Sequence, residues 1–98
     1  WSRLGDRLAG TGRYRRVIFA GIAENGSALA RWRPGGDLHP RLLDALASMR
    51  RAGVAPTHLL WHQGETDRQL GTDPQRYREE FRLLVTAIRA AGVQAPVY

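Results

Sequence analysis

Arg15-Arg16-Val17-Ile18-Phe19-Ala20-Gly21-Ile22-Ala23 is the stretch on which a reading of the fold turns. From Val17 onward it is nearly continuously apolar and does not alternate, which suits a strand covered on both faces of a parallel sheet. Thr57-His58-Leu59-Leu60-Trp61-His62 is a second strand candidate, and Ala95-Pro96-Val97-Tyr98 has the look of a third that has just begun. Helical patterns alternate with these runs. Leu4 and Leu8 suggest a short helix over residues 2–10, ended by Gly10 and Gly12. Pro40 stands where a helix opens, Leu42, Leu43, Leu46 and Met49 recur at helical spacing, and Gly53 sits where that helix closes. Asp73 caps a further helix and Pro74 opens it; Tyr77, Phe81, Leu84, Val85 and Ile88 make its apolar stripe, and Gly92 ends it. The order helix, strand, helix, strand, helix, strand predicts an α/β fold of right-handed βαβ units, a parallel sheet with helices on both faces.

The 98 residues amount to one domain or part of one, and no linker, repeat or low-complexity tract divides them. The apolar share of 43% is ordinary for a globular chain, and no apolar run approaches the ~20 residues of a membrane span. All 15 basic residues are arginine, and the net charge is +6. They are scattered from Arg3 to Arg89 with no run longer than a pair, so the pattern reads as a solvated surface and argues against a nucleic-acid partner. Cysteine is absent, which excludes disulfides and thiolate metal sites. No signal-peptide pattern is visible, but the sequence opens on Trp1 rather than Met, and the compartment is left open, export included.

In a parallel α/β sheet, ligands gather outside the carboxyl ends of the strands. The two loops expected there are residues 24–38 and 63–73. The first opens Glu24-Asn25-Gly26-Ser27, where Gly26 either brings a backbone amide close to a ligand or simply makes a turn. Trp32 is a candidate pocket wall or a cover for the sheet. The second opens His62-Gln63-Gly64-Glu65-Thr66-Asp67. Gln63 offers an amide donor just past the strand, where a developing oxyanion would be met. Glu65 and Asp67 serve either chemistry or loop hydrogen bonding. A metal site from His62, Glu65 and Asp67 lacks any recognised ligand spacing such as H-E-x-x-H. The only serines are Ser2, Ser27 and Ser48; none lies in a G-x-S-x-G elbow, and a complete Ser-His-Asp triad is not visible.

Leu60-Trp61-His62-Gln63-Gly64-Glu65-Thr66-Asp67 resembles the W-x-Q-G-E-[ST]-D block of the sialate O-acetylesterase-like and acetylxylan-esterase group (carbohydrate esterase family six) within the SGNH hydrolases. Asn25-Gly26-Ser27 through Trp32 is similar to that group's G-G-[TS]-x-I-x-x-W block, with Asn25 where the group has Gly. The likeness spans roughly residues 15–98. It implies a three-layer, flavodoxin-like α/β/α fold of which this chain is an interior part. It also implies hydrolysis of a carbohydrate O-acetyl ester without metal or organic cofactor. Carried over by position, Gly26 and Gln63 supply the oxyanion hole, with Asn25, Ser27, Gly64, Glu65 and Asp67 as support and Trp32 and His62 at the substrate pocket. The group's nucleophile block, G-Q-S-N, and its Asp-x-x-His block are not in this sequence. The segment alone is therefore expected to be catalytically silent while its parent protein is a serine esterase. A non-catalytic carbohydrate-binding or interaction domain that has lost its triad is the alternative.

Overall fold

The computed structural model describes residues 1–98, and its framework is helical. Helix α1 spans Ser2–Gly10, α2 His39–Arg51, α3 Glu65–Gln69 and α4 Pro74–Ala90, with a single 3₁₀ turn at Leu29–Arg31. The long helices begin and end for the reasons their sequences supply. The Asp73 carboxylate accepts from the Gln75 and Arg76 amides, two donors that a helix start leaves without partners, and Pro74 has no amide to satisfy. Gly53 and Gly92 take positive φ values of 68° and 89° just beyond α2 and α4, letting the Val54 and Val93 amides turn back onto Met49 and Ile88 carbonyls. Arg50 ties the two helix ends together by donating to the Ala91 carbonyl at 2.8 Å.

The expected parallel sheet does not form, and the three-layer α/β/α reading is overturned. β-pairing is confined to one isolated parallel bridge between Leu59 and Val97. Leu59 N–H donates to Pro96 O, Tyr98 N–H to Leu59 O and Trp61 N–H to Tyr98 O, at 2.8–2.9 Å. Residues 16–24 run without any regular structure, and Ile18 and Phe19 are 57% and 41% exposed. The physical reason lies in what the pattern reports. An apolar run states a preference for burial, whereas a strand exists only where a second backbone meets its amides and carbonyls. Residues 16–24 find no such backbone within the chain. α3 also departs from expectation, since it interrupts what reads as a polar loop; a five-residue helix is too short to display an apolar period.

The core is small. Leu29, Trp32, Leu38, Leu46, Leu84, Ile88, Val93 and Ala95 form it, with Leu29 and Leu84 fully enclosed. It lies where the stripe of α4 meets the 3₁₀ turn and α2. α1 buries nothing. Only 11 of 98 residues are buried, and the radius of gyration is 14.7 Å against the ~13 Å of a compact domain this long, so apolar burial alone holds the connecting segments weakly.

Between the 3₁₀ turn and α2 the chain doubles back tightly. Arg31 grips Asp37 through Nε and Nη2, at 2.7 Å for the latter, and this hydrogen bond holds the Asp37 carboxyl below its usual range, so the clasp is closed at neutral pH. Leu38 N–H meets Arg31 O at 2.8 Å inside the same turn. Gly36 lies directly against this backbone: a methyl group there would collide with the carbonyls of Ala30 and Arg31. Gly36→Ala should therefore destabilise the protein by about 1–3 kcal/mol, read as a lowered urea midpoint. A midpoint equal to that of the native sequence would show that the turn relaxes freely.

Candidate functional site

The loop before the 3₁₀ turn and the loop before α3 meet at Gln63. Local backbone makes this possible at two glycines. Gly64 adopts φ 147°, a conformation that a side chain strongly disfavours, and there the extended segment 57–63 breaks into α3. Gly26 adopts φ 66° in the turn Asn25–Gly26, where an added Cβ would meet nothing within 4 Å, so the backbone angle, not space, calls for glycine. Asn25 and Gly26 are exposed, and the Gly26 amide makes no hydrogen bond within the chain.

Gln63 Nε2 donates to the Ser27 carbonyl at 3.1 Å and to Asp67 Oδ2 at 2.5 Å. Its Oε1 accepts from the Tyr77 hydroxyl at 2.8 Å. Asp67 is 4% exposed, and its carboxylate accepts three hydrogen bonds: Gln63 Nε2 and the Leu29 amide on Oδ2, the Thr72 hydroxyl on Oδ1. Ser27 is buried as well. Its hydroxyl donates to Glu24 O and accepts from Trp32 Nε1, both at 2.8 Å. Every polar side-chain atom buried in the protein has a partner. A network satisfied in this way specifies one arrangement of the two loops.

The sequence-derived residues thus fall into three groups. Gln63, Asp67 and Ser27 come together in one network, with Gly64 as the backbone hinge that brings Gln63 to it. Gly26 and Asn25 border it in the exposed turn next to Ser27. The rest stand apart from its centre. His62 and Glu65 are exposed and face each other at 3.8 Å. Trp32 belongs to the core, 5% exposed, and reaches the network only through its indole N–H. Sequence reasoning missed three members. Thr72 carries no signal beyond its place in a polar loop. Trp61 donates its indole N–H to the Tyr77 hydroxyl at 3.1 Å while its ring packs on Phe81 with centroids 5.7 Å apart. Tyr77 reads as one member of an apolar stripe, and only its phenol oxygen hints at a polar task.

The arrangement holds the Gln63 carboxamide against the Ser27 carbonyl, next in sequence to an exposed turn whose Gly26 amide is unbonded within the chain. No group of three His, Asp or Glu side chains is placed to hold a metal ion, and no helix is long and apolar enough to cross a membrane. Comparison with known families assigns the class: a family model for carbohydrate esterases matches residues 6–97. The chain belongs to that family, described in full as carbohydrate esterase, sialic acid-specific acetylesterase. No curated protein and no solved structure gives a significant match to it.

Asp67 is the member whose loss strands the most partners. Asp67→Ala leaves the Leu29 amide, the Gln63 amide and the Thr72 hydroxyl without their shared acceptor, and should cost roughly 3 kcal/mol or more in a urea titration. Asp67→Asn, which keeps one acceptor oxygen, should cost less. Equal midpoints for Asp67→Ala and the native sequence would mean that water replaces the carboxylate at no loss.

Proposed function

We propose that residues 1–98 form part of a serine esterase domain that removes O-acetyl groups from a carbohydrate such as sialic acid, and that this segment supplies its oxyanion hole. In this reading the Gly26 amide and the Gln63 carboxamide both donate to the acyl oxygen as it becomes tetrahedral. Asn25, Ser27, Gly64, Glu65 and Asp67 hold the two loops. His62, exposed at the entrance of the second loop, contacts substrate, with Trp32 as the floor beneath the first. The observation that carries the proposal is the 3.1 Å contact between Gln63 Nε2 and Ser27 O, which brings the amide donor to the residue next to Gly26. Family membership supplies the reaction class.

The nucleophile comes from outside these residues. The Ser27 hydroxyl is buried and engaged at both ends, by Glu24 O and Trp32 Nε1, and Ser2 and Ser48 are exposed on helices with no histidine bonded to either. In the proposed reaction a serine oxygen attacks the acetyl carbonyl, a histidine takes the serine proton and passes it to the departing sugar hydroxyl, and water then releases acetate. The segment's task is electrostatic throughout.

One observation favours a second reading, a carbohydrate-binding or interaction domain without catalysis. Both hydrogens of Gln63 Nε2 already have partners, so the carboxamide also serves as a purely structural tie. Activity separates the two readings. In the parent protein, Gln63→Ala should lower kcat for p-nitrophenyl acetate by about 10²–10³ with a milder change in KM. An unchanged kcat removes Gln63 from the oxyanion role. Residues 1–98 by themselves should release no nitrophenol above background, and clear turnover would overturn the proposal that the nucleophile lies elsewhere.

A further inference from the structure

A carboxamide can be turned over, exchanging its oxygen for its nitrogen with little change in shape. An oxyanion donor that turned over would present an oxygen to an oxygen. The partners of Gln63 determine which way it faces. The Ser27 carbonyl and the Asp67 carboxylate accept hydrogen bonds and cannot donate them, so they select the nitrogen on their side. On the other side stands the Tyr77 hydroxyl, 2.8 Å from Oε1. A phenol can donate or accept, and Trp61 resolves which. Its indole N–H can only donate, and it does so to the Tyr77 oxygen at 3.1 Å, so the phenol proton faces Gln63, whose Oε1 at 2.8 Å is a closer acceptor than its main-chain oxygen at 3.3 Å. The direction of donation therefore runs from Trp61 through Tyr77 to Gln63, and on to Ser27 O and Asp67.

We propose that Tyr77 is the positioning residue that holds the Gln63 carboxamide in its donating orientation during ester hydrolysis. The inference rests on the oxyanion role of Gln63 and adds a reason for Tyr77 beyond packing. If an acyl oxygen takes the place of the Ser27 carbonyl, Gln63 exchanges one of the two anchors on its nitrogen for substrate. Asp67 and Tyr77 are then what keep its plane from swinging. Donation into Oε1 also polarises the amide, which strengthens its N–H groups as donors. Tyr77 touches neither the acyl group nor the nucleophile in this scheme; it acts through Gln63.

The test is a double-mutant cycle in the parent protein with p-nitrophenyl acetate as the probe. Tyr77→Phe removes one oxygen and leaves the ring. It should lower kcat about tenfold, less than loss of the donor itself, with KM within about twofold of the native value. In a Gln63→Ala background the same change should lower kcat no further, because the group it positions is gone. A drop of equal size in both backgrounds would make Tyr77 a general structural residue, and no drop in the native background would leave it no role; either result overturns the proposal. Gln63→Ala at native kcat is a different failure, since it removes the oxyanion reading itself. Should Tyr77→Phe prove unfolded by its melting curve, Trp61→Phe carries the same cycle. It keeps an aromatic ring near Phe81 but removes the N–H that orients the phenol together with one ring of the indole; the expected loss is about two- to fivefold, and the part that acts through the phenol again vanishes without Gln63.

Discussion

A buried carboxylate, Asp67, is the constraint from which the rest of this structure follows. Its two oxygens accept from the Leu29 backbone, the Gln63 side chain and the Thr72 hydroxyl, residues that come from the 3₁₀ turn, the segment before α3 and the segment after it. Enclosing a carboxylate is costly unless hydrogen bonds replace the water it loses. The energy that makes the site viable is therefore the same energy that fixes the geometry, because a misplaced loop would leave the carboxylate short of donors. The apolar core could not do this alone. Leu29 is enclosed in it while its amide is held by Asp67, and α4 packs against the turn that this bond ties down.

How much of this can be read from the sequence depends on whether a signal is local. Helices α2 and α4 are plainly written: Pro40 and Gly53 bracket one, Asp73-Pro74 and Gly92 the other, and the leucine and aromatic spacing fills them. These signals act within a few residues, so they do not wait on a distant partner. The apolar run 17–23 is the opposite case. It needs a neighbouring backbone to become a strand, and that depends on the whole arrangement of the chain, so its composition promised a sheet that the structure does not contain. α3 is not legible in the sequence because five residues cannot show a helical period.

The candidate site is legible for a reason separate from the expected sheet. Gly26, Ser27, Gln63 and Asp67 read from the sequence as residues of two loops at strand ends, and Gly64 joins them through the family resemblance. Without the sheet the loops still converge, through side chain-to-backbone bonds spanning 36 and 38 positions of sequence. Residue identities thus recorded the hydrogen-bonding task more faithfully than the expected architecture did. Trp32 and Tyr77 show the limit of that record. One reads equally well as a pocket wall and a core residue, the other as an apolar stripe member and a phenol donor, and only coordinates assign the indole N–H to Ser27 and the hydroxyl to Gln63.

A fully bonded amide is not by that fact a poor catalyst. The Ser27 carbonyl is a neutral acceptor at 3.1 Å, worth about 1 kcal/mol net, whereas a hydrogen bond to an anionic oxygen is roughly twice as strong. A ground-state ester carbonyl is neutral too, and gains little by displacing Ser27. The exchange becomes favourable only as negative charge builds on the acyl oxygen. In the proposed reaction the resting bond would therefore bias Gln63 toward the transition state and away from the substrate, which is the form of binding that raises kcat. The Asp67 bond works in the opposite direction, since a carboxylate close to the same nitrogen opposes a second negative charge. In the proposed reaction the Gly26 amide, unbonded in the exposed turn, would offset that opposition by taking part of the charge.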